Sequence, residues 1–201
     1  MVRRPLISAD YAAQNRLLHE RRRRYGGNGG RYVEHALALI ALFRPASVLD
    51  YGCGKGGLMA AVQARVGPPQ MFKRKARKAA LDRHRPPPPV MPEWRMYDPA
   101  IPGCGQFPEE AADLLICTDV MEHVEPEYLD ATIDAQRRLG LKAAFFTFAL
   151  RASNKTLPDG RNTHLIVEGR DFWRARLARR WHLAELAWKN DDTYLVLALP
   201  R

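Results

Sequence analysis

Four side chains able to share a metal ion or move a proton fall in two short stretches of this sequence. Asp119, Glu122 and His123 lie in Thr118-Asp-Val-Met-Glu-His-Val-Glu-Pro126, and His164 closes Asp159-Gly-Arg-Asn-Thr-His164. Two carboxylates and two imidazoles form a mixed oxygen and nitrogen ligand set that suits Mg²⁺, Mn²⁺, Fe²⁺ or Zn²⁺. An ion held there would bind a substrate hydroxyl, lower its pKa and orient it. Without an ion, His123 or His164 is the candidate general base, because imidazole titrates near neutrality. A shaping loop with hydrogen-bonded structural histidines is the third reading of the same residues.

A second stretch, Val48-Leu-Asp-Tyr-Gly-Cys-Gly-Lys-Gly-Gly57, has the composition of a cofactor loop. Its apolar start reads as a buried strand, and Gly52, Gly54 and Gly56 permit a tight strand-to-helix turn that a ligand can approach closely. The same residues satisfy GxGxxG through Gly52, Gly54 and Gly57, so the loop alone does not separate a dinucleotide from another adenosine cofactor. Asp50 separates them. A carboxylate two residues before the first glycine meets a cationic amino-acid moiety and repels a pyrophosphate. A dinucleotide would also want an acid about 20 residues beyond the loop for its ribose, where this chain is basic and proline-rich. The balance favours S-adenosylmethionine.

With this loop and acid, the sequence resembles the class I S-adenosylmethionine-dependent methyltransferases, whose first motif is an acid, a small or apolar residue, then GxGxG. The resemblance spans Tyr25 to Leu199. It implies that Asp50, Gly52, Cys53, Gly54 and Gly56 hold the methionine part of the cofactor. It further implies that Asp98, ending Trp94-Arg-Met-Tyr-Asp98, takes the ribose hydroxyls, a task that suits a carboxylate able to accept two hydrogen bonds. Asp119 would border the cofactor, and Tyr25-Gly-Gly-Asn-Gly-Gly30 would close over it through Tyr25 and Gly27. The segment from Asp119 to His123 is similar to the ExxEH segment of the ubiquinone-pathway O-methyltransferases and the RNA-terminal 2′-O-methyltransferases. Both are metal-dependent and carry a later histidine. Related DVLEH segments in other methyltransferases hold no metal, and here the first acid is the shorter Asp119. Length is a further departure: only residues 99 to 112 separate Asp98 from Asp113, too few for the usual helix, third strand and adenine-side acid. A shortened third strand is expected, with Gln106 to Glu110 the one stretch placed to supply such an acid.

The elements that must hold these residues follow from periodicity and punctuation. Ser8 or Asp10 caps a helix that runs to the arginines at 21–24; Val33, Leu37 and Ile40 mark a second, stopped at Pro45; Leu58, Val62 and Arg65 mark a third. Strands are expected at 47–50, 94–97, 112–118 and 143–150, helices at 126–139 and 171–181, and a closing hairpin from 183–188 and 193–199. Alternating strands and helices predict an α/β fold with a doubly wound, mostly parallel Rossmann-like sheet and a C-terminal antiparallel hairpin. Ligands of such sheets bind beyond the C-terminal ends of the strands, where Asp119 to His123 and the connection to His164 would both lie. Residues 1–30 read as an N-terminal helix with a glycine-rich closing segment, 31–201 as a methyltransferase domain, and 67–92 as a basic, proline-rich insertion within it.

Composition narrows the rest. The 201 residues are 46% apolar and 27% charged, which fits one enzyme-sized domain and excludes wholesale disorder. The longest apolar run, Ala36 to Phe43, is far short of the ~20 residues that span a bilayer, so no membrane partner is expected. No secretory apolar region follows Met1, and Cys53, Cys104 and Cys117 form no even framework; a cytoplasmic location is expected. The net charge of +10 is concentrated between Lys73 and Arg85. That cluster could track nucleic acid or could be a solvated helix face. The carboxylate and histidine cluster suits an oxygen acceptor, and the Asn/Asp-Pro-Pro-aromatic motif that holds amines is absent from the sequence. The expected function is therefore S-adenosylmethionine-dependent methylation of a hydroxyl on a small metabolite or saccharide. The alternatives are a metal-dependent RNA- or DNA-directed methyltransferase, a nicotinamide oxidoreductase, and a binding module without catalysis. Oligomeric state is left open.

Overall fold

A computed structural model describes residues 6–23, 25–66, 91–187 and 190–201. The whole Lys73–Arg85 cluster, and the expected insertion apart from its last two residues, lies outside the described residues.

Strands β1 (Ser47–Tyr51), β2 (Glu93–Tyr97), β3 (Ala112–Thr118) and β4 (Gly140–Ala149) are mutually parallel, and β5 (Trp181–Leu186) and β6 (Thr193–Pro200) close the sheet as an antiparallel hairpin. The order across the sheet is β2-β1-β3-β4-β6-β5. The chain thus moves outward from β1 to β2 and then crosses back to β3 on the other side of β1. That reversal opens a crevice at the C-terminal ends of β1 and β3, where open α/β sheets place their ligands.

The strands are nearly continuous apolar runs because both faces are covered. Val48, Leu114, Ile116 and Phe145 face α2 (Val33–Phe43) and α3 (Gly57–Val66), which contribute Val33, Ala36, Leu39, Ile40, Leu58 and Val62. Leu49, Leu115, Cys117, Phe146 and Phe148 face α4 (Leu129–Leu139) and α5 (Arg170–Leu177), which contribute Leu129, Ile133, Leu139, Trp173 and Leu177. Helix α1 (Ala9–Arg21) is capped by Ser8, whose hydroxyl accepts the Tyr11 N–H. It makes a smaller cluster of its own, in which Tyr11 and Leu18 pack with Tyr25 and Leu157.

Three expectations are corrected. The helix expected over 171–181 stops at Leu177, and Trp181 instead opens β5, paired with Pro200. Its indole is fully buried, edge-on to Phe146 and beneath the Arg137 guanidinium, so sheet packing outweighs the helical spacing of Trp173, Leu177 and Trp181. The helix expected from Pro126 begins with a single 3-10 turn, Pro126–Tyr128, and becomes α-helical at Leu129. Strand β4 begins at Gly140 rather than 143, because the extended backbone of Gly140 both ends α4 and pairs with Ala112. The third strand expected to be shortened is absent among the described residues. Residues 98–111 form turns, with Asp98 N–H donating to the Cys104 carbonyl at 3.0 Å, and β2 is the outermost strand.

Candidate active site

The chain leaves β1 through Gly52, Gly54 and Gly56, whose φ angles of 76°, 50° and 71° place all three in the left-handed region that favours glycine. Gly52 and Cys53 donate their N–H groups to the Tyr97 carbonyl at 2.7 and 3.1 Å, and Gly54 N–H donates to Asp98 Oδ2 at 3.0 Å. The loop is therefore tied to the end of β2. A Cβ on Gly52 would stand 2.3 Å from a Val120 methyl, and one on Gly54 would stand 2.3 Å from the Gly26 carbonyl oxygen. The close approach expected from a ligand is made by the protein itself. Gly52, Cys53 and Gly54 line the cavity beside the loop, as do Tyr25 and Gly26; Gly27 and Gly56 do not, and Gly56 serves the turn through its positive φ instead.

That cavity, of about 350 Å³, gathers Asp50, Asp98, Asp119, Glu122, His123 and His164 around one space. Asp50 is almost wholly enclosed, and its Oδ2 has no hydrogen-bond partner among the described residues. Burial, with the nearby Asp98 charge adding to it, pushes the Asp50 carboxyl up to about 7. An orphaned acceptor of this kind is stabilised by a cationic donor entering the cavity. Asp98 is fixed by Gly54 N–H on one oxygen and Ala100 N–H, at 2.9 Å, on the other. Each oxygen keeps a further lone pair for a hydroxyl donor.

Beyond Asp119 a short turn, Met121–His123, supplies ligand atoms from Glu122 and His123, and the connection after β4 brings one from His164; all three lie within 4.8 Å of one another. His123 Nδ1 lies 2.6 Å from the Thr163 carbonyl, and His164 Nδ1 lies 2.6 Å from the Arg151 carbonyl. A carbonyl only accepts, so each ring must carry its proton on Nδ1 and leave an Nε2 lone pair available. Burial, with the neighbouring imidazole next in effect, pushes His123 down to about 3; burial also lowers His164. Both rings are therefore neutral at pH 7. Glu122 is fully buried; its Oε1 accepts the Ala149 N–H at 2.9 Å while Oε2 has no partner among the described residues. Burial and the Asp119 charge hold the Glu122 carboxyl well above the usual carboxylate range.

Asp119 is separated from this group, contrary to its expected place as the first ligand. Its Oδ1 accepts the Tyr32 hydroxyl at 2.6 Å and the Thr147 hydroxyl at 2.9 Å, and Arg31 lies 3.7 Å from Oδ2. Its backbone is at φ 54°, and its side chain faces Tyr32, in the 3-10 turn just ahead of α2, rather than the Glu122, His123 and His164 group. The expected set of four ligands is thus a set of three, with Asp119 in the cavity wall.

Residues without a sequence signal complete the cavity. Helix α1 crosses the C-terminal edge of the sheet, clasped by Ser8 N–H and Oγ–H to the two oxygens of Glu125 at 2.8 and 2.7 Å, and by Gln14 to Asp159 at 2.9 Å. It brings Tyr11, Asn15 and His19 to the space. His19 lies edge-on to Tyr25, 4.7 Å between centroids, with its Nδ1 buried and unpartnered among the described residues. Arg151 and Lys155, on the connection from β4, line the same cavity.

No protein-family model matches the sequence, and the search of curated proteins finds no match. Solved structures do match. The 1,6-didemethyltoxoflavin-N1-methyltransferase of Burkholderia thailandensis, solved with its substrate and S-adenosylhomocysteine, is 18% identical; the match covers 99% of this chain and 93% of that one, with a TM-score of 0.56. The magnesium protoporphyrin IX methyltransferase of Synechocystis PCC 6803 with bound SAH is 19% identical over 96% and 97%, with a TM-score of 0.52. The chain has the class I methyltransferase fold. The N-methyltransferase NodS of Bradyrhizobium japonicum WM9, also with SAH, matches at 14% identity over 93% and 98%, with a TM-score of 0.52. The names of these neighbours thus differ in the acceptor they give, and the likeness to them is one of fold. No helix among the described residues is long and apolar enough to cross a membrane.

Proposed function

We propose that this protein transfers the methyl group of S-adenosylmethionine to a hydroxyl oxygen of a small acceptor, beside a divalent metal ion held by Glu122, His123 and His164. The observation that carries the reading is the pairing of two Nε2 lone pairs with an orphaned Glu122 oxygen in one buried group, on the same cavity as the glycine loop. Two imidazoles and one carboxylate suit Mn²⁺, Fe²⁺ or Zn²⁺ better than the all-oxygen preference of Mg²⁺.

S-adenosylmethionine supplies a methyl group already activated on sulfur. The oxygen–methyl bond forms as the sulfur–methyl bond breaks, S-adenosylhomocysteine leaves, and the acceptor's hydroxyl proton, once its pKa is lowered, is released to solvent. The protein's task is thus alignment and acidification of that hydroxyl. Asp50 would meet the ammonium of the methionine part through the oxygen that otherwise lacks a partner. Asp98 would accept the ribose hydroxyls with its remaining lone pairs. Tyr25, Gly26 and α1 cover the space and exclude water. A divalent ion supplies a Lewis-acidic centre that lowers the pKa of an acceptor hydroxyl. Glu122, His123 and His164 hold their orientation through Ala149, Thr163 and Arg151, which support the ligands as backbone partners do in metal sites.

The test is methyl transfer from labelled S-adenosylmethionine to a panel of hydroxylated compounds, with and without chelator and with Mn²⁺ or Zn²⁺ restored. Activity on hydroxyl acceptors that chelator removes and metal restores is the expected result. Transfer to amines alone, or transfer indifferent to chelator, contradicts the reading.

A further inference from the structure

Of the three cations on the connection that carries His164, Arg161 pairs with Asp159, and the other two line the cavity, their side chains taking no part in the glycine loop or the metal group. These two are Arg151 and Lys155, which line it with Ser153 and Asn154. This connection is braced from within. Asn162 Oδ1 accepts the N–H groups of Ser153 and His164 at 3.0 and 2.8 Å, and Asn162 Nδ2 donates to the Ser153 carbonyl at 2.8 Å. Lys155 N–H donates to Ser153 Oγ at 3.2 Å, and the Lys155 carbonyl accepts Thr163 N–H at 3.0 Å. Thr163 is the residue whose own carbonyl orients His123. Position 155 is therefore locked to the frame that sets the metal group.

The Lys155 ammonium lies 5.3 Å from the centroid of the Tyr25 ring, and that ring meets His123 edge-on at 6.3 Å. The side chain is half-buried, and among the described residues no carboxylate pairs with it. The nearby acids are committed elsewhere. Glu125 gives both oxygens to Ser8, Asp119 is held by Tyr32 and Thr147, and Asp50 and Asp98 belong to the glycine-loop end. Only Glu122 remains, and a divalent ion would more than offset its charge. The loaded metal end would then carry net positive charge with Lys155 and Arg151 added to it. A half-buried cation whose cavity-facing side meets no carboxylate within ion-pair distance among the described residues is stabilised by a charge-assisted bond to an anionic ligand.

We infer that the methyl acceptor is an anion: it bears a carboxylate or phosphate that Lys155 binds, with Arg151 at the rim, while its hydroxyl lies against the Glu122, His123 and His164 group. The hydroxyl half of this statement rests on the function proposed above; the anionic half rests on Lys155. Tyr25 holds the ammonium in place through its ring face. Arg151 has the lesser part, being exposed and already 3.5 Å from Asp192.

The experiment uses the full chain loaded with Mn²⁺ and S-adenosylhomocysteine and measures binding of matched probes by calorimetry: ribose against ribose 5-phosphate, and catechol against 3,4-dihydroxybenzoate. At least one anionic probe should bind about tenfold or more tightly than its neutral partner. That advantage should disappear in Lys155→Met and return in Lys155→Arg. The pair that shows the advantage identifies phosphate or carboxylate as the group recognised. Equal binding within both pairs, no binding of either anion, or an advantage that survives Lys155→Met overturns the inference. Separate Mn²⁺ and S-adenosylhomocysteine titrations keep the two readings apart. With both bound and no anion preference, only the anionic acceptor fails; with neither bound but a Lys155-dependent preference intact, the proposed reaction fails and the anion site stands.

Discussion

His123 and His164 meet edge to face, with ring centroids 4.8 Å apart and planes at 89°, each anchored through Nδ1–H to a carbonyl of the β4 connection. Burial lowers both below the ordinary histidine value, and at His123 the neighbouring imidazole adds to it. Proton competition for the metal group therefore falls on Glu122, whose carboxyl is raised. Mn²⁺ affinity should climb with pH as Glu122 ionises, without the step near pH 6.5 that ordinary histidine ligands give. A Mn²⁺ titration series from roughly pH 5 to pH 9 checks this, and a step at the usual histidine value contradicts it.

Removing any one of the three ligands should cost metal affinity at least the ~10–100-fold that loss of a supporting partner costs such sites. Glu122→Gln, His123→Ala and His164→Ala are the variants. Asp119→Asn should change Mn²⁺ affinity by less than about threefold, because its carboxylate is spent on Tyr32 and Thr147. A loss in Asp119→Asn as large as in His164→Ala would restore the four-ligand set.

Asp50 links cofactor affinity to pH. With its carboxyl near 7, the protein binds the ammonium group best once that proton is gone, so S-adenosylhomocysteine affinity should rise about tenfold from pH 6 to pH 8. The sign for stability is opposite. A raised native pKa means the folded ligand-free protein holds a proton that the unfolded chain releases. The Asp50 contribution is therefore present below the unfolded value near 4 and is lost as pH rises towards 7. Asp50→Asn should flatten both profiles and weaken cofactor binding by roughly 10–100-fold, the worth of a hydrogen bond to a charged group. Calorimetry and thermal melts across that range read both effects.

Gly54→Ala tests the loop. A left-handed φ of 50° costs an L-residue roughly 1–2 kcal/mol, and the added methyl would stand 2.3 Å from the Gly26 carbonyl. The variant should melt several degrees lower and lose cofactor affinity, as the Tyr25–Gly26 cover is pushed away. Gly103→Ala, also at positive φ but with nothing within 4 Å of the added atom, should show the stability cost alone.

Legibility in the sequence tracked how local each signal is. The strand-to-helix glycine turn, the alternation of elements, the lack of room for a full strand between Asp98 and Asp113 and the pair His123 and His164 were all readable, because each depends on residue type and short-range spacing. The end of α5 was not, because the fate of Trp181 was settled by a sheet partner and by Phe146, far away in the chain. His19, Arg151 and Lys155 gave no motif. Arg151 and Lys155 do lie on the same connection as His164, and the reasoning that sent His164 to the sheet edge reaches them too.

Residue order by itself determined that an acid precedes a glycine turn and that carboxylate and imidazole groups arrive together at one edge of a parallel sheet, since strand polarity carries every such connection to the same end. Tertiary structure decided the rest: that Asp119 faces Tyr32 instead of the histidines, that α1 roofs the cavity, and that Lys155 stands without a carboxylate among the described residues. A side chain's direction at a turn depends on one backbone angle and on the neighbour that completes its hydrogen bonds, and neither is encoded within the few residues around it.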